Sequence, residues 1–248
     1  MTKTIAVRIT RRRLLAAAAL IAAAHKRAIA DPRMEMPVRH IVLLGDSIFD
    51  NAAYVAGGPD VVHQLRERLP DGWRARLAAV DGSVTASVAI QLQQLPPDAS
   101  HLIVSVGGND ALGHAGTLDE GARSMAEALD RMAAIRDQFE RDYGAMLDGV
   151  LERGLPTAVC TIYDARFPNP LRRRLAATGL TIFNDCITRA AFSRARPLID
   201  LRLICNEDED FANPIEPSVR GGAKIAAAVA ALIAEHDFAR HRSEVFAW

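Results

Sequence analysis

Three short loops hold the residues whose types and spacing suit nucleophilic chemistry. Gly45-Asp46-Ser47-Ile48-Phe49-Asp50 follows the apolar run His40 to Leu44. A serine placed there stands where a strand ends and a helix begins, so its hydroxyl is exposed and backbone N–H groups can surround a developing anion. Asp81-Gly82-Ser83 follows the run Arg74 to Val80, and a glycine lets a backbone N–H come close to a substrate oxygen. Gly107-Gly108-Asn109-Asp110 follows His101 to Val106 and offers a neutral amide donor. Each loop alone reads as a helix cap or a turn. Together, in this order, they supply a serine nucleophile with two oxyanion donors.

Such loops act together only if a frame brings them to one edge. The runs His40 to Leu44, Arg74 to Val80, His101 to Val106, Thr157 to Ile162 and Leu198 to Leu203 are rich in Val, Ile and Leu, as strands buried on both faces must be. Helical stretches are expected at Val61 to Leu69, Leu118 to Arg153, Thr181 to Ala195 and Val219 to His236, the second broken near Ala133 where its apolar spacing is irregular. This alternation predicts an α/β fold: a three-layer α/β/α sandwich around a central parallel five-stranded sheet, with the functional loops at the carboxyl ends of the strands.

With these loops the chain resembles the SGNH or GDSL hydrolase family, from about His40 to His236. The resemblance implies a flavodoxin-like sandwich and ester hydrolysis with no metal or organic cofactor. Ser47 would be the nucleophile, and the oxyanion hole would be the Ser47 and Gly82 N–H groups with the Asn109 amide. The family's fourth block, an acid followed three residues later by histidine, departs here: the register of Asn213-Pro214-Ile215-Glu216-Pro217 puts Asn213 at the acid position and Glu216 at the histidine position. An ordinary glutamate, with a pKa near 4.3, is a base weaker than histidine by roughly 3 kcal/mol unless burial raises it. His114, five residues beyond Asn109, is the alternative base, and Asp208 or Asp210 could orient one. Asp46, Tyr163 and Arg166 are candidate substrate contacts at the same rim. Aromatic residues make up 5% of the chain, which points to a small or polar ester rather than a long acyl chain. The other reading of the lost histidine is a catalytically weak or inactive member that binds a glycan or an acylated ligand.

Half of the 248 residues are hydrophobic and 24% are charged, which excludes a disordered or collagen-like chain. The formal charge is zero, but residues 1–30 carry seven basic side chains and no acid, so the remainder carries a net charge of about −7. That balance argues against nucleic acid as a partner. Thr10-Arg11-Arg12-Arg13-Leu14-Leu15, then the apolar Ala16 to Ala24 and the small Ala28-Ile29-Ala30, resembles a twin-arginine signal peptide. Residues 1–30 are therefore expected to be removed and residues 31–248 to form one periplasmic or secreted domain, the alternative being a cytoplasmic protein that keeps its leader. The apolar run is too short for a bilayer span, so no stable membrane insertion is expected. Cys160, Cys186 and Cys205 are too few and too widely spaced for a zinc site and read as buried thiols. No pattern in the chain indicates an oligomeric state.

Overall fold

The computed structural model describes residues 39–247, and the leader read in residues 1–30 lies outside them. Six parallel strands form one sheet in the order β2-β1-β3-β4-β5-β6: β1 (Arg39–Gly45), β2 (Trp73–Leu77), β3 (His101–Ser105), β4 (Thr157–Cys160), β5 (Leu198–Ile199) and β6 (Val245–Phe246). Ile41, Val42, Leu43 and Leu44 are fully buried because β1 lies inside the sheet with both faces covered. Their side chains alternate. Ile41 and Leu43 enter a core shared with α1 (Val61–Arg68) and α7 (Val219–Glu235), while Val42 and Leu44 enter one shared with α4 (Met125–Leu151) and α5 (Pro170–Ser193). The result is a helix, sheet, helix layering.

The chain leaves β1 for β2 on one side and returns to β3 on the other. A reversal of this kind opens a crevice at the carboxyl ends of the two strands. Ser47 follows β1 and Asn109 follows β3, so the reversal places them on either side of that crevice.

Four expectations are corrected. The sheet has six strands rather than five, because β6 pairs with β5 over only two residues, too few to show a pattern. The segment expected as strand to Leu203 turns helical at α6 (Leu201–Ile204), where the Asp200 side chain accepts the Arg202 N–H and caps the turn. Helix α5 begins at Pro170 rather than Thr181, capped by Asn169. The charged run Arg172-Arg173-Arg174 in its first turns hides the apolar period. Helix α4 is unbroken through Ala133 and begins only at Met125, where the Ser124 hydroxyl accepts the Glu127 N–H. Residues 115–119 form a separate 3-10 turn.

Candidate active site

Ser47 owes its position to a tight joint between β1 and β3. Gly45 has φ 130°, and a Cβ on it would lie 1.8 Å from the Ser105 carbonyl oxygen, so only glycine lets the two strand ends approach this closely. The Gln91 side chain, at the end of α2 (Val88–Gln91), locks the joint like one rung of a sheet. Its Oε1 accepts the Gly45 N–H at 2.8 Å, and its Nε2 donates to the Gly45 carbonyl at 2.7 Å and to Ser83 Oγ at 3.3 Å. The Asp46 carbonyl then accepts N–H groups from Phe49 and Asp50, each at 3.1 Å, closing one helical turn around Ser47.

The two donor loops come to the same edge. Gly82 is exposed at φ 77°. Asn109 lies in the first turn of α3 (Gly108–Gly113) and donates one amide hydrogen to the Ser83 carbonyl at 2.9 Å, which leaves its second for another acceptor. Asp110 accepts the Thr85 N–H at 3.0 Å and so ties the third loop to the second.

Glu216 arrives on a folded loop after Phe211. Asn213 Oδ1 accepts the N–H groups of Ile215 at 2.9 Å and Glu216 at 3.0 Å, the Glu216 carbonyl accepts from Ala212 at 2.9 Å, and buried Asn51 donates to the Pro217 carbonyl at 3.1 Å. Tyr163 donates its hydroxyl to the Ile215 carbonyl at 2.7 Å, with its ring edge-on to Phe211. The Arg166 backbone N–H donates to the Pro214 carbonyl at 2.7 Å, while its guanidinium sits over the Phe211 ring, away from the crevice lining. Tyr163 therefore braces the Glu216 loop from within the crevice, and Arg166 braces it from behind.

The Ser47 hydroxyl donates to Glu216 Oε1 at 3.1 Å, within reach of proton transfer. Glu216 is 5% exposed. Burial pushes its carboxyl up to about 7, with the charge of Asp81 adding to the rise and the Ser47 hydrogen bond opposing it. Its Oε2 is buried with no hydrogen-bond partner among the described residues, which makes the ionised form costlier still. Asp46 is pushed up to about 8, first by burial and then by the neighbouring carboxylates Glu216, Asp110 and Asp81, against the Ile48 N–H bonded to its Oδ1 at 3.1 Å. At neutral pH the site thus keeps a proton on Asp46 and leaves Glu216 near its midpoint.

His114 lines the crevice at the end of α3, its ring centroid 6.4 Å from that of Phe183, whereas the partner of the Ser47 hydroxyl is Glu216. Asp208 pairs with Arg173 at 2.7 Å and Asp210 with Lys224 at 2.7 Å, so both are engaged in ion pairs of their own. All three cysteines are free and buried.

Beyond Ser47 the crevice opens into a cleft of about 110 Å³. Asp46, Ser47, Asn109, Tyr163 and Glu216 lie at its reactive end, and the rest is largely apolar, with Leu112 from α3, Ile135 from α4, Ile162 after β4, Leu180 from α5 and the rings of Phe167 and Phe183, and with Arg172 over the Phe167 ring as a charged member. The aromatic content of a chain is a poor gauge of an acyl site, because leucine, isoleucine and methionine line one equally well.

A family model described as GDSL-like lipase/acylhydrolase matches residues 43–224. Solved structures with a similar fold include an extracellular lipase from Streptomyces rimosus, with 17% identity, a TM-score of 0.58, and coverage of 75% of this chain and 95% of that one. A phospholipase A1 from Streptomyces albidoflavus has 15% identity and a TM-score of 0.55, covering 75% and 94%. Est24, a carbohydrate acetylesterase from Sinorhizobium meliloti, has 14% identity and a TM-score of 0.57, covering 79% and 98%. Identities this low establish a shared fold alone. No curated protein sequence matches the chain.

Proposed function

From the chain's membership of the GDSL-like lipase/acylhydrolase family, which the match to residues 43–224 establishes, we propose that it is an exported serine ester hydrolase working through an acyl-enzyme on Ser47, with Glu216 as the general base. The observation that carries this reading is the 3.1 Å hydrogen bond from the Ser47 hydroxyl to a buried carboxylate raised toward neutrality. The strand order from β2 to β5 fits the flavodoxin-like sheet of such a hydrolase. Export rests on the resemblance of residues 1–30 to a twin-arginine leader, and it is checked by the N-terminus of the exported protein, expected at Asp31.

In the first half-reaction Ser47 Oγ attacks the ester carbonyl carbon as its proton passes to Glu216 Oε1. The carbonyl oxygen becomes an oxyanion that the Ser47 and Gly82 N–H groups and the free amide hydrogen of Asn109 receive. The carbon–oxygen bond to the alcohol then breaks, and Glu216 returns the proton to the leaving oxygen. Water repeats the sequence on the acyl-enzyme and releases the acid. A carboxylate base needs no partner to fix a tautomer, as an imidazole does. Asn213 therefore fits where an acid would otherwise stand: it holds the backbone of Glu216 instead of charging its side chain.

The test is a burst experiment with a p-nitrophenyl ester on wild type, Ser47→Ala and Glu216→Gln. The expected result is a stoichiometric burst with the acyl mass on Ser47 in wild type, and turnover lower by at least about a thousandfold in both variants. A folded wild-type protein that gives neither burst nor turnover, yet binds acylated ligands equally well with and without the Ser47 hydroxyl, would instead be a binding protein on this scaffold.

A further inference from the structure

The loop that carries Glu216 is closed at its neck. Phe211 and Pro217 form an antiparallel bridge, the Asp210 carbonyl accepts the Ser218 N–H at 2.8 Å, and the Ser218 hydroxyl donates to the Glu209 carbonyl at 2.7 Å. A Cβ on Gly221 would lie 2.1 Å from the Asp210 carbonyl oxygen, so the first turn of α7 presses directly on the residue where the loop begins. Residues 211–217 thus leave and return at one point, and the place of Glu216 depends on how firmly that point is held.

A buried ion pair holds it. Asp210 is 0% exposed, and its Oδ2 accepts the Glu207 N–H at 3.0 Å and a hydrogen of Lys224 Nζ at 2.7 Å. Arg220 Nε stands 3.4 Å from Asp210 Oδ1, and the same guanidinium pairs with Glu207. Glu207 and Asp210 precede the loop, whereas Arg220 and Lys224 follow it on α7, so each pair ties one end of the loop to the other. Burying a carboxylate and an ammonium is costly, and apolar residues of similar volume often give equal or greater stability. What such a pair does well is fix the register of the segments it joins. Neither residue is a hydrogen-bond partner of Glu216, whose contacts run to Ser47, Asn213 and Ala212. We propose that Asp210 and Lys224 are positioning residues for the general base: their buried ion pair, across the neck of the loop, keeps Glu216 against Ser47 and out of water.

This inference rests on the hydrolase reading for the rate but not for the setting of Glu216, and the experiment reads the two separately. Lys224→Met keeps the length of the side chain and removes its charge. Two effects on Glu216 then have opposite signs. Loss of a positive charge, acting through space, raises the midpoint of a carboxyl, whereas loss of burial lowers it toward the ordinary 4.5. Asp46, Asp81, Tyr54 and Tyr163 lie within electrostatic reach of Glu216, and the variant alters none of them. The midpoint is followed by the carboxyl infrared difference between each protein and its Glu216→Gln counterpart, and kcat and KM for a p-nitrophenyl ester are measured from pH 5 to pH 9. In Lys224→Met the midpoint should fall from about 7 by at least about one unit. At pH 8 kcat should fall about tenfold to a hundredfold with KM within about twofold, and Lys224→Arg should restore both. The double variant Asp210→Asn with Lys224→Met leaves no unpaired buried charge, and its two charge effects oppose each other. It should match Lys224→Met, and it serves as the test if the single variant does not fold. A midpoint that stays at about 7 or rises, or a melting temperature that falls while kcat holds, overturns the clamp. A lowered midpoint in a protein whose wild type turns over no ester overturns the hydrolase reading and leaves the clamp standing.

Discussion

The two walls around Ser47 are built by opposite means. The wall toward β2 is polar and held by short hydrogen bonds between neighbouring loops: Gln91 to Gly45, Asp110 to Thr85, Asn109 to Ser83 and Tyr54 to Asp81. The wall toward α4 and α5 has few directional contacts and consists largely of apolar side chains facing an open cleft. The first holds donor groups in place through directed bonds, as transition-state stabilisation requires. The second bounds a cleft by shape rather than by directed bonds. Precision and permissiveness thus lie on either side of one hydroxyl.

If the polar wall carries the chemistry, damage to it should appear in rate before affinity. Asn109→Ala removes an oxyanion donor and should lower kcat by about 10²–10³ with KM little changed, measured by steady-state kinetics on a p-nitrophenyl ester. A change confined to KM would move Asn109 from catalysis to binding and erase the contrast between the walls.

The reactive end of the site should also cost stability. Glu216 titrates at about 7 in the folded protein against an ordinary value of 4.5, so the fold is favoured while the carboxyl keeps its proton. The stability associated with Glu216 is therefore full below about 4.5, falls between about 4.5 and about 7, and is level above, by at most about 3 kcal/mol. Glu216→Gln escapes this loss. In urea unfolding the variant should gain up to about 3 kcal/mol on wild type between pH 4 and pH 8, and a difference independent of pH would show that Glu216 is not a strained, buried acid. Gln91→Ala strips two buried backbone groups of Gly45 of their partner and should cost about 1–3 kcal/mol while also slowing turnover. Lost stability with full activity would show that the joint is not needed to aim Ser47.

The same contrast explains what the sequence revealed. Ser47, Gly82 and Asn109 stand in contiguous loops directly after strands, and strand ends are readable because buried strands are apolar runs. Glu216 was legible through its Pro and Gly neighbours. Its elevated pKa was not, because that depends on burial beneath a loop braced by Tyr163 and Asn51 from distant elements. The apolar wall was missed because its members are scattered from Leu112 to Phe183 and meet only after α4 and α5 pack together. Arg166, read as a substrate contact from its place after the fourth strand, instead faces Phe211, since successive residues of an extended segment point opposite ways. Gln91 gave no signal, a polar residue in a short helix with nothing nearby to mark it.

The central claim is that a buried glutamate does the work of a histidine, and kcat/KM followed from pH 5 to pH 9 tests it directly. The account predicts a single ascending limb, tenfold per pH unit below a midpoint of about 7 and level above it, and no such limb in Glu216→Gln, whose residual rate is lower by at least about a thousandfold. A midpoint near 4.5, or a Glu216→Gln protein that keeps the wild-type profile, would contradict it.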